Sequence, residues 1–119
     1  MAHGSRKDVS NKEVIALGKK VESLLGEHYA HVMTAFLEFT NPILEESILS
    51  CIEKDVNEIV ILPYFLASGN HVTRDIPEVV AKIQASNPNV KMILKEHIGS
   101  ASGIATLLVD MAVNSNKSL

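Results

Sequence analysis

The sequence has few aromatic residues and no excess of basic ones, and these two shortages limit what it can bind. Phenylalanine, tyrosine and tryptophan together make up 4% of the residues, and the net charge is −3. Nucleic-acid-binding domains ordinarily present a basic surface to the phosphate backbone and aromatic rings on which bases stack. We therefore expect no nucleic-acid partner.

Cysteine and long apolar segments are also scarce. The single cysteine, Cys51, excludes an internal disulfide, and its position on an apolar helical stripe indicates a small core residue rather than a nucleophile. The longest apolar run, IVILPYFLA, is half the length of a membrane span and contains a proline, and no signal segment opens the chain. We expect a cytoplasmic protein with no membrane partner.

The remaining composition is that of one folded domain. Hydrophobic residues make up 46% and charged residues 21%, and 119 residues are enough for a single core, so residues 1–119 are interpreted as one domain. A capping box formed by Ser10 and Glu13 precedes apolar residues at helical spacing. Four helices are predicted, over about 11–26, from Leu44 towards Val56, over 75–86 and over 100–114.

Short apolar, β-favouring runs alternate with these helices. They lie at 31–37, 58–65 and 90–94, and a first strand is expected immediately before His3. Strands that alternate with helices are typical of a parallel sheet with right-handed crossovers. The predicted fold is a three-layer α/β/α domain with a four-stranded parallel sheet.

Candidate functional residues follow the predicted strands. His3 comes after the first strand, Glu38 after the second and His71 after the third. Open parallel sheets bind ligands outside the carboxyl ends of their strands. Imidazole together with carboxylate suits borderline divalent cations such as Co, Ni, Fe or Zn, and the same groups accept protons near neutral pH. The pattern therefore predicts a metal or proton-transfer site at this edge.

Each of these residues also has a purely structural interpretation. His3 could stabilise a turn, His71 could bond a backbone carbonyl, and Glu38 could cap the next helix. Glu96 and His97 follow the fourth strand, but a solvated loop position explains His97 better. His28 and His31 lie at the opposite edge of the sheet, so we assign them no role.

Four motifs, AHGSR, AFLEFTNP, LPYFLASGNHVTRDIP and EHIG, resemble those of the small CbiX-type chelatases, which insert a divalent metal into sirohydrochlorin. The resemblance covers nearly the whole chain and implies a chelatase-like, flavodoxin-like fold. It implies that His3 and His71 bind the metal and help to remove pyrrole protons, with Glu38 also in the active site. The family often has proline at the position of His97, so no ligand role carries over to that residue.

The resemblance also implies the ligands and the assembly. The metal, Co²⁺, Ni²⁺ or Fe²⁺, is a substrate, and no cofactor is retained. Short members resemble one half of the longer two-domain chelatases, which implies a homodimer. We expect the sirohydrochlorin macrocycle to contact the residues around the two histidines, with basic groups facing its carboxylates: Ser5, Arg6, Lys7, Leu66, Ala67, Ser68, Gly69, Asn70, Val72 and Arg74.

One departure from the family concerns the first strand. Only Met1 and Ala2 precede His3, whereas family members usually have a complete apolar strand there. In a flavodoxin-like order this strand is central, and a truncated one leaves its neighbours with unpaired backbone groups. Three explanations are open: a start assigned at an internal methionine, numbering that omits upstream residues, or repair of the sheet by a partner. We favour the first two.

Three other functions compete with the chelatase. A non-catalytic carrier of metal or tetrapyrrole would use the same residues without turnover. A hydrolase built on Ser5, His71 and Asp75 is disfavoured because the G-x-S-x-G signature is missing. A nucleotide-binding domain is disfavoured because the sequence has neither G-x-G-x-x-G nor a P-loop.

Overall fold

The computed structural model describes residues 1–114 and shows an α/β architecture with a parallel sheet, as predicted. Two short 3₁₀ turns, Gly26–His28 and Ile98–Ser100, and a π-helical turn, His71–Asp75, lie between the longer elements. These longer elements are, in chain order, α1 Asp8–Leu25, α2 Leu44–Ile52, β1 Glu58–Ile61, α3 Ile76–Ser86, β2 Lys91–Leu94 and α4 Gly103–Val113.

The sheet of the described residues contains two strands rather than the predicted four. β1 and β2 pair in parallel, from Glu58 opposite Lys91 to Ile61 opposite Leu94. The strand predicted at 31–37 is reduced to isolated bridges at Phe36. The α/β class and the parallel direction are confirmed, and the number of strands is not.

The first residues of the chain pair with one segment on each side. Ala2 donates its N–H to Ala35 O (2.9 Å) and accepts from Leu37 N (3.0 Å). On the other side, the Met1 amino group donates to Leu62 O at 2.7 Å, and burial lowers the pKa of this amino group to about 6. A ladder requires a run of paired residues, and in the described part of the chain the segment at 31–37 is bridged only at Phe36.

The core lies between the sheet and two amphipathic helices. Ile48 of α2, Ile61 of β1 and Ile76 at the start of α3 are buried together with Val80 and Ile83. The helices predicted from Leu44 and over 75–86 are therefore present, and each buries one apolar face because helical spacing puts its apolar residues on one side. Cys51 is half-buried on α2, and desolvation raises the pKa of its thiol, as suits a packing residue.

Two details of the first helix differ from the prediction. α1 begins at Asp8, and its N-cap, Lys7, makes no side-chain cap bond, so the capping box of Ser10 and Glu13 does not form. A carboxylate in the first turn, here Asp8, interacts favourably with the helix dipole and stabilises this earlier start. The predicted stripe is also incomplete: Leu24 is 87% exposed.

The last helix is apolar along most of its length and yet stays at the surface. Five of its apolar residues are between 52% and 75% exposed: Leu107, Leu108, Val109, Met111 and Val113. Exposed apolar surface of this extent typically marks an interaction site. Over residues 1–114, no helix combines the length and the apolarity required to cross a membrane.

Candidate active site

Three predicted residues from three separate segments lie together beyond the carboxyl ends of the strands. The ring centroids of His3 and His71 are 5.0 Å apart, and the two rings are inclined at 63°. Nε2 of His3 lies 3.2 Å from Oε1 of Glu38. All three side chains are between 42% and 49% exposed, so a ligand can reach them from solvent. The arrangement forms an open cluster of two imidazoles and a carboxylate.

A glycine makes the approach of His3 to Glu38 possible. Gly4 has φ of 92°, a conformation that residues with a Cβ rarely adopt, and a Cβ at this position would overlap the carbonyl of Glu38. The amide of Glu38 donates to His3 O at 3.1 Å, which holds the two backbones in register. The positive φ and the close contact with Glu38 therefore explain why a glycine follows His3.

A buried asparagine, which the sequence did not single out, holds this turn against α1. Asn11 is 5% exposed; its Oδ1 accepts the N–H of Ser5 (2.9 Å), and its Nδ2 donates to Ser5 O (2.7 Å). The hydroxyl of Ser5 accepts the N–H of Lys7 at 3.0 Å. Both polar atoms of the buried Asn11 side chain are thus hydrogen-bonded, and they fix the turn that carries His3 to the first helix.

His71 lies on a helical turn, whereas the sequence predicts that the third helix begins only at 75. The carbonyl of Gly69 accepts the N–H groups of Val72 (3.1 Å) and Thr73 (3.0 Å), and the amide of Ile76 donates to His71 O. This last bond has the i→i+5 pattern of a π-helix, a rare form that occurs often at functional sites. The hydrogen bonds start the helix early and give His71 a defined backbone position.

The π-helical turn also pairs His71 with a carboxylate. Nδ1 of His71 lies 2.9 Å from Oδ2 of Asp75, while Oδ1 of Asp75 lies 3.3 Å from Nε of Arg74. The sequence suggested Asp75 only as part of a disfavoured hydrolase. The signal that could have indicated this pair is the spacing of four residues, which puts two side chains on one face of a helix.

Phe39 is a second neighbour that the sequence did not single out. It has φ of 70°, an outlier for a bulky residue, and its ring is 50% exposed with its centroid 6.0 Å from that of His3. The guanidinium of Arg6 lies 5.0 Å from the centre of the Phe39 ring, within the range of a cation–π contact. The ring of Phe39 therefore lies between the imidazole of His3 and the guanidinium of Arg6 as a neighbour of both.

The other residues that we expect to contact the substrate lie at the protein surface and are close to His71 in sequence. Leu66, Ala67, Ser68, Gly69 and Asn70 are all exposed, and Val72 is half-buried. Gly99 of the EHIG motif packs directly against the backbone of Leu66, and its amide donates to Phe65 O at 3.0 Å. The fourth motif therefore supports the 65–66 backbone.

Glu96 and His97 do not join the cluster. They line a shallow groove with Val72, and the Ser100 hydroxyl donates to Glu96 at 3.2 Å. Neither residue is among the groups that contact the His3 and His71 rings in the described part of the chain; besides each other, the rings contact Gly4 O and the side chains of Glu38, Phe39 and Asp75.

The donor set is that of an open site rather than a closed structural one. In the described part of the chain, no three or more His, Cys, Asp or Glu side chains are grouped to hold a metal ion. Structural zinc sites use four protein ligands. Two facing imidazoles leave coordination positions open, as a site that passes a cation to another ligand requires.

Comparisons with known proteins agree with these observations. A family model described as CbiX matches residues 1–115. The sirohydrochlorin cobaltochelatase of Saccharolobus islandicus is 32% identical over 99 residues, which cover 78% of this chain and 77% of that protein. The sirohydrochlorin ferrochelatase of Priestia megaterium is 28% identical over 116 residues, which cover 98% of this chain and 43% of that protein.

A solved structure shows the same fold. The sirohydrochlorin chelatase SirB from Bacillus subtilis subspecies spizizenii, in complex with cobalt, superposes with a TM-score of 0.82 over 96% of this chain at 21% identity. The match covers 48% of SirB, so this chain spans about half its length. The family resemblance expected from the four motifs is confirmed over almost the full sequence, and the chain belongs to the CbiX family.

Proposed function

We propose that this protein is a sirohydrochlorin chelatase that inserts a divalent metal, Co²⁺ first and Ni²⁺ or Fe²⁺ as alternatives, into the macrocycle. The observation that carries the proposal is the pair of facing imidazoles, His3 and His71, each beside a carboxylate. The names of the relatives in Saccharolobus and Priestia support the substrate, and they include both cobalt and iron as the metal. Imidazole binds all three cations, and availability rather than affinity decides among them in a cell.

Metal insertion poses two chemical problems that this cluster addresses. A hydrated cation must lose water, and two pyrrole N–H protons must leave as the cation enters the ring. In our proposal His71 and His3 first hold the cation as substrate and then, as it passes to the ring, accept the pyrrole protons in turn, with Glu38 assisting His3 across their 3.2 Å contact. General-base help of this kind contributes about 100- to 10,000-fold in rate.

The groups around the histidines match a planar ring that carries carboxylates. The exposed ring of Phe39 offers a flat apolar surface beside His3. Leu66–Asn70 and Val72 supply further surface on the His71 side. The exposed side chain of Arg74 and that of Arg6 attract the carboxylates, while Ser5 orders the turn through its bond to Lys7.

The wider architecture is part of the same proposal. We place residues 1–119 in one domain, acting in the cytoplasm and retaining no cofactor. The hydrogen bonds of Met1–His3 on both sides support a sheet of four segments, in the order 35–38, 1–3, 58–64 and 91–95. This is the expected flavodoxin-like order, in which the residues around His3 are central.

The decisive test is metal insertion measured with each cation. Metal-free sirohydrochlorin is mixed with Co²⁺, Ni²⁺ or Fe²⁺ and about one-hundredth of an equivalent of protein, and the absorption spectrum is followed. We expect insertion of at least one metal to proceed over many turnovers, faster than in a mixture without protein. Product limited to one equivalent per protein would instead identify a carrier and would contradict the proposed enzyme.

The assembly is proposed as a homodimer that uses the exposed apolar surface of α4. SirB is about twice as long as this chain, so a second copy can take the place of its other half. We expect light scattering at micromolar concentration to give the mass of a dimer, and Leu108→Glu to give a monomer, because a charge would be buried in the interface. Leu24→Glu, at an exposed apolar position on α1, is the control and should stay dimeric. A monomeric parent protein would contradict this part of the proposal.

A further inference from the structure

We propose that Asp75 is a positioning residue: it holds the His71 ring in the tautomer with the proton on Nδ1, so that the lone pair of Nε2 is available to the incoming cation. The starting point is the 2.9 Å contact between Nδ1 of His71 and Oδ2 of Asp75. An ionised carboxylate only accepts hydrogen bonds, so the proton of a neutral imidazole in this contact is on Nδ1. The metal-binding role of His71 rests on the proposed function.

The backbone between the two residues favours this contact. An i→i+5 bond joins Ile76 N to His71 O, and side chains four residues apart on a helical turn lie on the same face, so those of His71 and Asp75 can meet. Asp75 is also the N-cap residue of α3, which follows directly. Oδ1 of Asp75 lies 3.3 Å from Nε of Arg74. The carboxylate is thus held by its backbone and by a second side chain while it contacts the ring.

The two imidazoles of the site differ in their hydrogen-bond partners. For His3, Nδ1 lies 3.0 Å from Gly4 O and Nε2 lies 3.2 Å from Glu38, so both nitrogens face protein oxygens. For His71, Asp75 contacts Nδ1, and no side chain or backbone group among residues 1–114 is hydrogen-bonded to Nε2. His71 therefore already presents an unbonded nitrogen to a cation, whereas His3 must give up a contact to bind one, and a carboxylate behind a ligating histidine increases its metal affinity.

Three variants test this inference. Asp75→Ala removes the acceptor, Asp75→Asn keeps its shape without the charge, and Asp75→Glu restores a carboxylate on a longer side chain. Glu78→Gln is the control, because it removes a carboxylate from the first turn of α3 without touching His71. Circular dichroism and thermal unfolding identify the variants that are folded.

Two readouts do not need sirohydrochlorin. The ¹⁵N shifts of the His71 ring, measured where the ring is neutral, report the tautomer, and the visible absorption of added Co²⁺ reports affinity. We expect the parent and Glu78→Gln to keep the proton on Nδ1, and Asp75→Ala to move it towards Nε2. We expect Co²⁺ affinity to fall by about 10- to 100-fold in Asp75→Ala, less in Asp75→Asn, and to recover in part in Asp75→Glu.

The same variants separate this inference from the proposed function. In the insertion assay, Asp75→Ala should raise the KM for Co²⁺ more than it lowers kcat. An unchanged tautomer and an unchanged Co²⁺ affinity in folded Asp75→Ala would overturn the positioning role, whatever the assay shows. A shifted tautomer with weaker Co²⁺ binding supports the role even where the parent protein inserts no metal, and that result would contradict the chelatase alone.

Discussion

Replacing His71 by alanine is expected to lower the rate of metal insertion into sirohydrochlorin by about 100-fold or more. The substitution removes an imidazole whose ring centroid lies 5.0 Å from that of His3 and whose Nε2 is proposed to bind the cation. Since the His71 side chain is 46% exposed, the free energy of unfolding should fall by about 1 kcal/mol or less. Initial rates and urea unfolding of the same samples measure the two effects.

The matched control for this substitution is His28→Ala. His28 is exposed in the 3₁₀ turn after α1, so its loss should change neither the rate nor the stability. A His71→Ala protein that keeps most of the insertion rate, or that loses it only through unfolding, would show that His71 is a structural residue.

Gly4→Ala should be the most destabilising single methyl addition in the site. The change places a Cβ against the carbonyl of Glu38 in a backbone with φ of 92°, so either the turn or the 36–38 segment must move. We expect a loss of about 2–4 kcal/mol in the free energy of unfolding. Since His3 and Glu38 lie on the two displaced backbones, the insertion rate should also fall, by about 100-fold for a shift of about 1 Å.

Gly26→Ala separates backbone strain from the contact with Glu38 as causes of the expected stability loss. Gly26 also has a positive φ, of 55°, but a Cβ there meets nothing within 4 Å. This variant should therefore show only the cost of backbone strain and keep the parent insertion rate. Equal losses of unfolding free energy in the two variants would mean that the contact with Glu38 contributes nothing to the destabilisation by Gly4→Ala.

The amphipathic parts of the fold could be predicted from the sequence. The buried faces of α2 and α3 follow from helical periodicity, and β1 follows from a continuous apolar run; both are local properties of neighbouring residues. The residues at the strand ends could also be predicted, because parallel strands place their carboxyl ends at one edge. For this reason the sequence alone places His3, Glu38 and His71 at one edge of the sheet.

The details of the site could not be predicted in the same way. The π-helical turn that pairs His71 with Asp75, the positive φ of Phe39 and the tether from Asn11 to Ser5 each depend on where other segments lie. A hydrogen bond between residues distant in sequence, or a strained backbone held by its surroundings, leaves no periodic signal.

The sequence by itself determined the α/β class, the helices that cover the sheet and the type of chemistry at its edge, because each follows from local pattern and residue type. Only the tertiary structure decided how much of the sheet forms. The segment at 31–37 has a strand-like pattern, but it pairs with Met1–His3 over too few residues to form a full strand. Strand formation requires a partner supplied from elsewhere in the chain, and the pattern of one segment does not contain that partner.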